Sequence, residues 1–118
     1  MATLTRTPTT VRVDFGPWER LCTGRASYEF PVAAVVSATV LPDPVGYLRG
    51  ARRGLAVSGF AKVGVWGLFT PRRTLAAAYR GTPGLRLVLA GAEFAEVVVS
   101  HADAAALAGA LQRAAVTA

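Results

Sequence analysis

The spacing of apolar residues changes once, after Ser100, and that change constrains the fold more than any other feature of the chain. Leu85, Leu87 and Leu89 alternate with their neighbours, as do Ala95, Val97 and Val99, which is the two-residue period of strands with one buried face. Beyond Ser100 the spacing becomes helical, with Leu107 and Leu111 on one face and Asp103 placed to cap the first turn. The stretch from Leu85 to Ala115 thus reads as a hairpin feeding a helix over residues 104–115. A single helix ending an otherwise strand-rich chain predicts a small sheet or barrel with that helix as its lid.

Charge and face together set the register of this hairpin. A two-residue loop would pair Leu87 with Glu96 and bring the carboxylate onto the core face. An odd loop or a bulge near Ala90-Gly91-Ala92 instead gathers the leucines and valines on one side. It also sets Arg86 near Glu96 on the exposed face, a cross-strand pair contributing about 0.2–1 kcal/mol.

The remaining elements follow from turn signals. Val11 to Phe15 alternates and stops at Gly16-Pro17, a first strand. Trp18–Thr23 and Ala26–Phe30 flank Gly24-Arg25, which suits a tight hairpin or a bend within one long strand. Val32–Leu41 is β-branched enough for a strand, with room for a helical turn after Pro31. Residues 45–65 are Gly-rich and basic, keep no clean period, and read as a long connection, which in a compact domain is usually functional or mobile. Thr74–Tyr79 is Ala-rich but too short between turns to sustain a helix, so it reads as a strand.

A chain of 118 residues suits one domain, and a composition 53% hydrophobic and 17% charged lies far from the disordered regime. No apolar run approaches the roughly 20 residues of a membrane helix, and residues 1–10 hold no signal peptide. The expectation is a flexible polar N-terminus over 1–10, a single domain over 11–118, and a cytoplasmic location. Cys22 is the only cysteine and His101 the only histidine, which excludes an intramolecular disulfide and leaves too few ligands for a structural zinc. No metal or cofactor is expected. The net charge of +6 is almost wholly arginine, with Lys62 the one lysine, and reflects either a coding habit or an anionic partner.

Several stretches carry a resemblance: Trp18-Glu19-Arg20-Leu21, Phe30-Pro31-Val32-Ala33-Ala34-Val35, Leu48-Arg49-Gly50 with Arg52, Val63 to Gly67 with Phe69, and Phe94 to Ser100 before an Asp-capped helix. Over about residues 11–115 these resemble a family of short, uncharacterised actinobacterial proteins that look like bacterial pleckstrin-homology (PH) domains. Ala104 departs from the proline that family places after the capping Asp. The resemblance implies a mainly β fold: a PH-like barrel of about seven antiparallel strands in two near-orthogonal sheets, capped by one C-terminal α-helix. It brings no established activity. Phosphoinositide binding does not carry over, because the first connection here, Asp14 to Glu19, is acidic rather than basic.

The densest positive charge is Arg49, Arg52, Arg53, Lys62, Arg72 and Arg73, interleaved with glycines and with Tyr47, Phe60 and Trp66. Guanidinium forks and exposed backbone N–H groups can clasp a phosphate or carboxylate, or track nucleic acid while an aromatic ring stacks on a base. The same residues also suit a solvated basic loop. No glycine spacing matches a phosphate loop. His101 beside Asp103 suggests an acid/base pair, but no nucleophile can be placed next to it, and a strand-end histidine is the simpler reading. Cys22 has Arg20 and Arg25 nearby, which would lower a thiol pKa if they faced it; buried packing is the alternative. Trp18, Phe30, Trp66, Phe69 and Phe94 read as core. The functional expectation is a non-enzymatic interaction module that binds a protein or peptide partner, by strand addition at a sheet edge, or self-associates. The alternative is an anion- or nucleic-acid-binding domain using residues 45–65.

Overall fold

The computed structural model describes residues 2–57, 60–68 and 70–117. In chain order the elements are β1 (Thr3–Arg6), β2 (Thr10–Asp14), α1 (Pro17–Thr23), β3 (Ser27–Pro31), a 3-10 turn (Val32–Ala34) and β4 (Val35–Leu41). They continue as α2 (Pro44–Tyr47), β5 (Arg52–Val57), β6 (Ala61–Trp66), β7 (Thr74–Tyr79), β8 (Gly84–Leu89), β9 (Glu96–Ser100) and α3 (Ala104–Thr117).

The hairpin and helix form as their periods predict. β8 and β9 pair antiparallel with Leu85 opposite Val99 and Leu87 opposite Val97, the odd-loop register. Asp103 immediately precedes α3, and its carbonyl accepts from the Leu107 N–H at 3.0 Å. The helix packs on β4 and β8 through Ala104, Ala108 and Leu111.

The sheets, however, do not close into a PH-like barrel. They are two separate sheets, one of three strands in the order β1-β2-β3 and one of six in the order β4-β8-β9-β7-β6-β5, accompanied by three α-helices. The fold is mixed α/β, and one pairing breaks the all-antiparallel expectation: β7 and β9 run parallel, Leu75 beside Val97. β7 and β8 are consecutive and separated by only a short turn, yet β9 lies between them. Ser100 at the end of β9 secures that insertion. Its Oγ accepts the Tyr79 N–H at 2.8 Å, and the next residue, His101, donates its N–H to the Pro83 carbonyl at 3.0 Å.

The residues read as a hairpin or bent strand over 18–30 begin instead with α1. Pro17 occupies the first helical position, Glu19 accepts the Gly16 N–H at 2.8 Å, and Gly24 ends the helix in the left-handed region at φ 75°. Likewise, the connection expected over 45–65 holds α2 and the β5–β6 hairpin. Gly54 and Gly64 face each other there at φ 139° and 147°, and a Cβ on either would come within 2.3 Å of backbone oxygen. Glycine at both positions is what lets these strands approach, and its missing side chains are also what erased the period. The polar lead-in carries β1, paired to β2 from Thr3 to Arg6.

The main core lies between the inner faces of the two sheets and α3, with Val11, Val13, Phe30, Leu75, Leu87, Val97, Phe94 and Leu111 buried together. A second, smaller cluster covers the opposite face of the six-stranded sheet: Val45, Leu48, Trp66, Ala76, Ala78 and Val98. Burial on both faces explains the alanine run in β7, because small side chains let Trp66 and Leu48 settle on one side while Ala77 meets the main core on the other. Of the expected core aromatics, Phe30 and Phe94 are in the main core and Trp66 is in the second cluster. Trp18 is instead 39% exposed, its ring edge-on to Tyr79 at 6.0 Å. Phe69 lies outside the described residues.

Candidate functional site

The second cluster does not cover its sheet face completely. Beside it opens a cleft of about 270 Å³ lined by Tyr47, Leu48, Arg49, Trp66, Gly67, Thr70, Arg72, Thr74 and Glu96. Three local structures build its walls. The first is α2, where Pro44 starts the turn, Asp43 caps it by accepting the Gly46 N–H at 3.1 Å, and Tyr47 ends it. The second is the segment after α2, tied down by Lys62 Nζ, which donates to the Leu48 carbonyl at 2.5 Å and so fixes the backbone next to Arg49. The third is the turn after β6: Thr70 Oγ1 donates to the Gly67 carbonyl at 2.9 Å and accepts from the Arg72 N–H at 3.2 Å.

One side of the cleft is a closed polar network around Glu96. The Tyr47 hydroxyl donates to Glu96 Oε2 at 2.6 Å, Thr74 Oγ1 donates to Oε1 at 2.8 Å, and Arg86 Nε donates to Oε2 while also reaching the Tyr47 hydroxyl at 2.9 Å. Glu96 is only 7% exposed. Burial pushes its carboxyl upward, but the hydrogen bonds from Tyr47, Thr74 and Arg86 outweigh that and hold it below the usual carboxylate range. Burial and the bond to Glu96 raise the Tyr47 phenol. Burial lowers Arg86, whereas its bonds to Glu96 and Tyr47 more than restore it, so the net shift is upward. The expected Arg86–Glu96 pair is present, but on a face that α2 covers rather than on an open surface.

The structure divides the six basic candidates by what each already does. Lys62 is bound to Leu48. Arg53 lies with its guanidinium against Gly24, at the C-terminal end of α1 where the carbonyls are exposed. Arg73 sits over the Phe94 ring at 5.3 Å and donates to the Glu93 carbonyl at 3.4 Å. Arg49 and Arg72 line the cleft, and Arg52 stands opposite Trp66 on the strand beside it. Among the described residues these last three have no ion-pair partner. No Asp or Glu occurs between Asp43 and Glu93, so the cleft's one carboxylate, Glu96, is already neutralised by Arg86.

Sequence reading missed Thr70, Thr74 and the part played by Tyr47 and Glu96. The available signal was Glu96 itself, a carboxylate at the head of a run of three valines, which becomes informative once both sheet faces are known to be covered. The remaining chemical candidates are occupied by local structure. His101 Nδ1 accepts the Asp103 N–H at 3.0 Å. Cys22 is half-buried against the main core. Its neighbours point to other tasks, Arg20 to the Phe15 carbonyl at 3.0 Å and Arg25 in a two-pronged pair with Glu93. Among the described residues no three His, Cys, Asp or Glu side chains group as metal ligands, and no helix is long and apolar enough to cross a membrane.

No protein-family model, curated protein or solved structure matches the chain.

Proposed function

We propose that this protein is a non-catalytic binding module whose cleft takes a small organic anion, a carboxylate or phosphate monoester with an apolar or aromatic body. The observation that carries this reading is that Arg49 and Arg72 line a walled cleft without a carboxylate partner, above Trp66 and Leu48. Guanidinium forks match both anion types, and the indole and Leu48 offer the body an apolar wall. The Glu96 network holds that wall rigid while its charge is cancelled. Arg53 and Arg73 face the other side of the sheet and are engaged there, so the basic residues do not form one stripe. That distribution favours a small anion over a nucleic-acid backbone.

Fluorescence of Trp66 in a Trp18→Phe background tests this, with phenyl phosphate, inorganic phosphate and phenol as probes. Phenyl phosphate should quench Trp66 saturably, and Arg49→Ala and Arg72→Ala should each weaken binding by about tenfold, the equivalent of one charge-assisted hydrogen bond. An equal response to phenol, or arginine variants that bind as the parent does, would overturn the proposal.

A further inference from the structure

We propose that β5 is a docking edge for an extended peptide carrying alternating apolar residues followed by acidic ones. The proposal concerns a different surface from the cleft and does not rest on it. Each sheet leaves two edge strands, and three of the four are guarded. β4 is covered by α3, whose Gln112 Oε1 accepts the Ala38 N–H at 2.9 Å. β3 carries an exposed Glu29 and ends in Pro31, while β1 has only four residues with Thr3, Thr5 and Arg6 exposed. β5 has six residues and neither proline nor acidic side chain; α1 packs on it as it does on the neighbouring β6, across the sheet face, and Leu55 and Val57 are 41% and 43% exposed.

The direction of its free backbone groups follows from two hydrogen bonds. The Gly67 N–H donates to the Ala51 carbonyl at 2.8 Å in the β5–β6 register, so the odd-numbered residues of β5 bond to β6. The Arg80 N–H donates to the Phe60 carbonyl at 2.7 Å, so the even-numbered residues of β6 bond to β7, consistent with the same phase. Arg52, Gly54 and Ala56 therefore turn their N–H and C=O groups outward, a template for one more strand. Charge identifies the partner. The strand begins with Arg52, which has no ion-pair partner among the described residues, and Arg53, whose guanidinium lies at the C-terminal end of α1, and the chain holds no Asp or Glu between Asp43 and Glu93. A second copy of β5 brings no carboxylate to them, whereas a peptide with acidic residues at that end does. In the antiparallel arrangement such a peptide sets apolar residues opposite Val57 and Leu55 and acidic ones opposite Arg53 and Arg52.

The probe is an acetylated, amidated hexapeptide, Val-Thr-Val-Thr-Glu-Glu, titrated into the full chain and followed by backbone amide shifts and hydrogen exchange. Saturating peptide should slow exchange at the Arg52, Gly54 and Ala56 amides by about tenfold or more. Ala56→Pro, which removes an outward N–H, and Arg52→Glu should each weaken binding by about tenfold. Replacing the two glutamates with lysines should abolish it. Should Ala56→Pro fail to fold, the amide protection in the parent chain still decides the matter. The proposal is overturned if those three amides do not slow, if the lysine peptide binds equally, or if a concentration-dependent dimer shows that a second copy occupies β5.

Discussion

The Tyr47 hydroxyl donates to Glu96 Oε2 at 2.6 Å, joining residues 49 positions apart in the chain. That bond, with Thr74 and Arg86, fastens α2 over the six-stranded sheet and shapes one wall of the cleft. Tyr47→Phe keeps the ring and removes the donor, and the residue is 39% exposed, so a loss of about 1 kcal/mol is expected in urea unfolding. Glu96→Gln should cost more, about 1–3 kcal/mol, because Arg86 is left without its counter-charge. Equal effects from the two variants would show that the carboxylate is not the centre of the network.

Stability should fall in acid with a definite sign. The Glu96 carboxyl is held low by its three donors against the opposing effect of burial, and the Arg25 fork chiefly lowers that of Glu93. A carboxyl more acidic folded than unfolded contributes fully above the unfolded-state value, about 4.3, and that contribution is lost as pH falls through the lower folded-state value. The urea midpoint should hold from neutral pH to about 5 and drop below about 4. Glu96→Gln should make the drop shallower, and an unchanged slope would contradict the assignment.

The Gly54–Gly64 pair supplies a third test. Gly64→Ala puts a Cβ 2.2 Å from the Arg53 carbonyl oxygen at a positive φ. Gly50→Ala also has a positive φ but meets nothing within 4 Å. Backbone strain alone should cost Gly50→Ala about 1 kcal/mol, whereas Gly64→Ala should lose clearly more or fail to form the β5–β6 hairpin. Comparable urea midpoints for the two would mean that the close approach is not a constraint.

Phe94 and Trp18 should separate in the same measurement. Phe94 is buried, edge-on to Tyr28 at 5.2 Å and flanked by the guanidiniums of Arg25 at 4.9 Å and Arg73 at 5.3 Å. Phe94→Ala should cost about 3–5 kcal/mol, and Trp18→Ala, at a partly exposed ring, about 1 kcal/mol.

Much of the local structure was legible. The β8–β9 register followed from keeping Glu96 off the leucine face, and Ala-rich β7 was readable as a strand because turns bound it on both sides. The start and stop of α1 were also written in the chain, as Pro17, Glu19 and Gly24, but a helix this short competes poorly with a strand reading until its partners are known. Those partners are remote: Glu19 accepts from the Tyr79 hydroxyl, 60 positions away. The cleft was only half legible. Its arginines stood out, but nothing local says that Arg49 and Arg72 share a cavity while Arg53 and Arg73 turn to the other face.

By itself, then, the sequence determined the elements whose period or punctuation is complete within a few residues: the Leu85–Val99 hairpin, α3, the β2 strand and the turns. Only the tertiary structure decided that β9 inserts parallel to β7, that the six-stranded sheet is covered on both faces, and that Arg49 and Arg72 line one cleft without an ion-pair partner among the described residues. The physical reason is range. A strand's alternation reports which residues share a face, but not which strand lies beside it or what covers the face opposite, and pairing partners 20 to 50 positions apart leave no periodic trace along the chain.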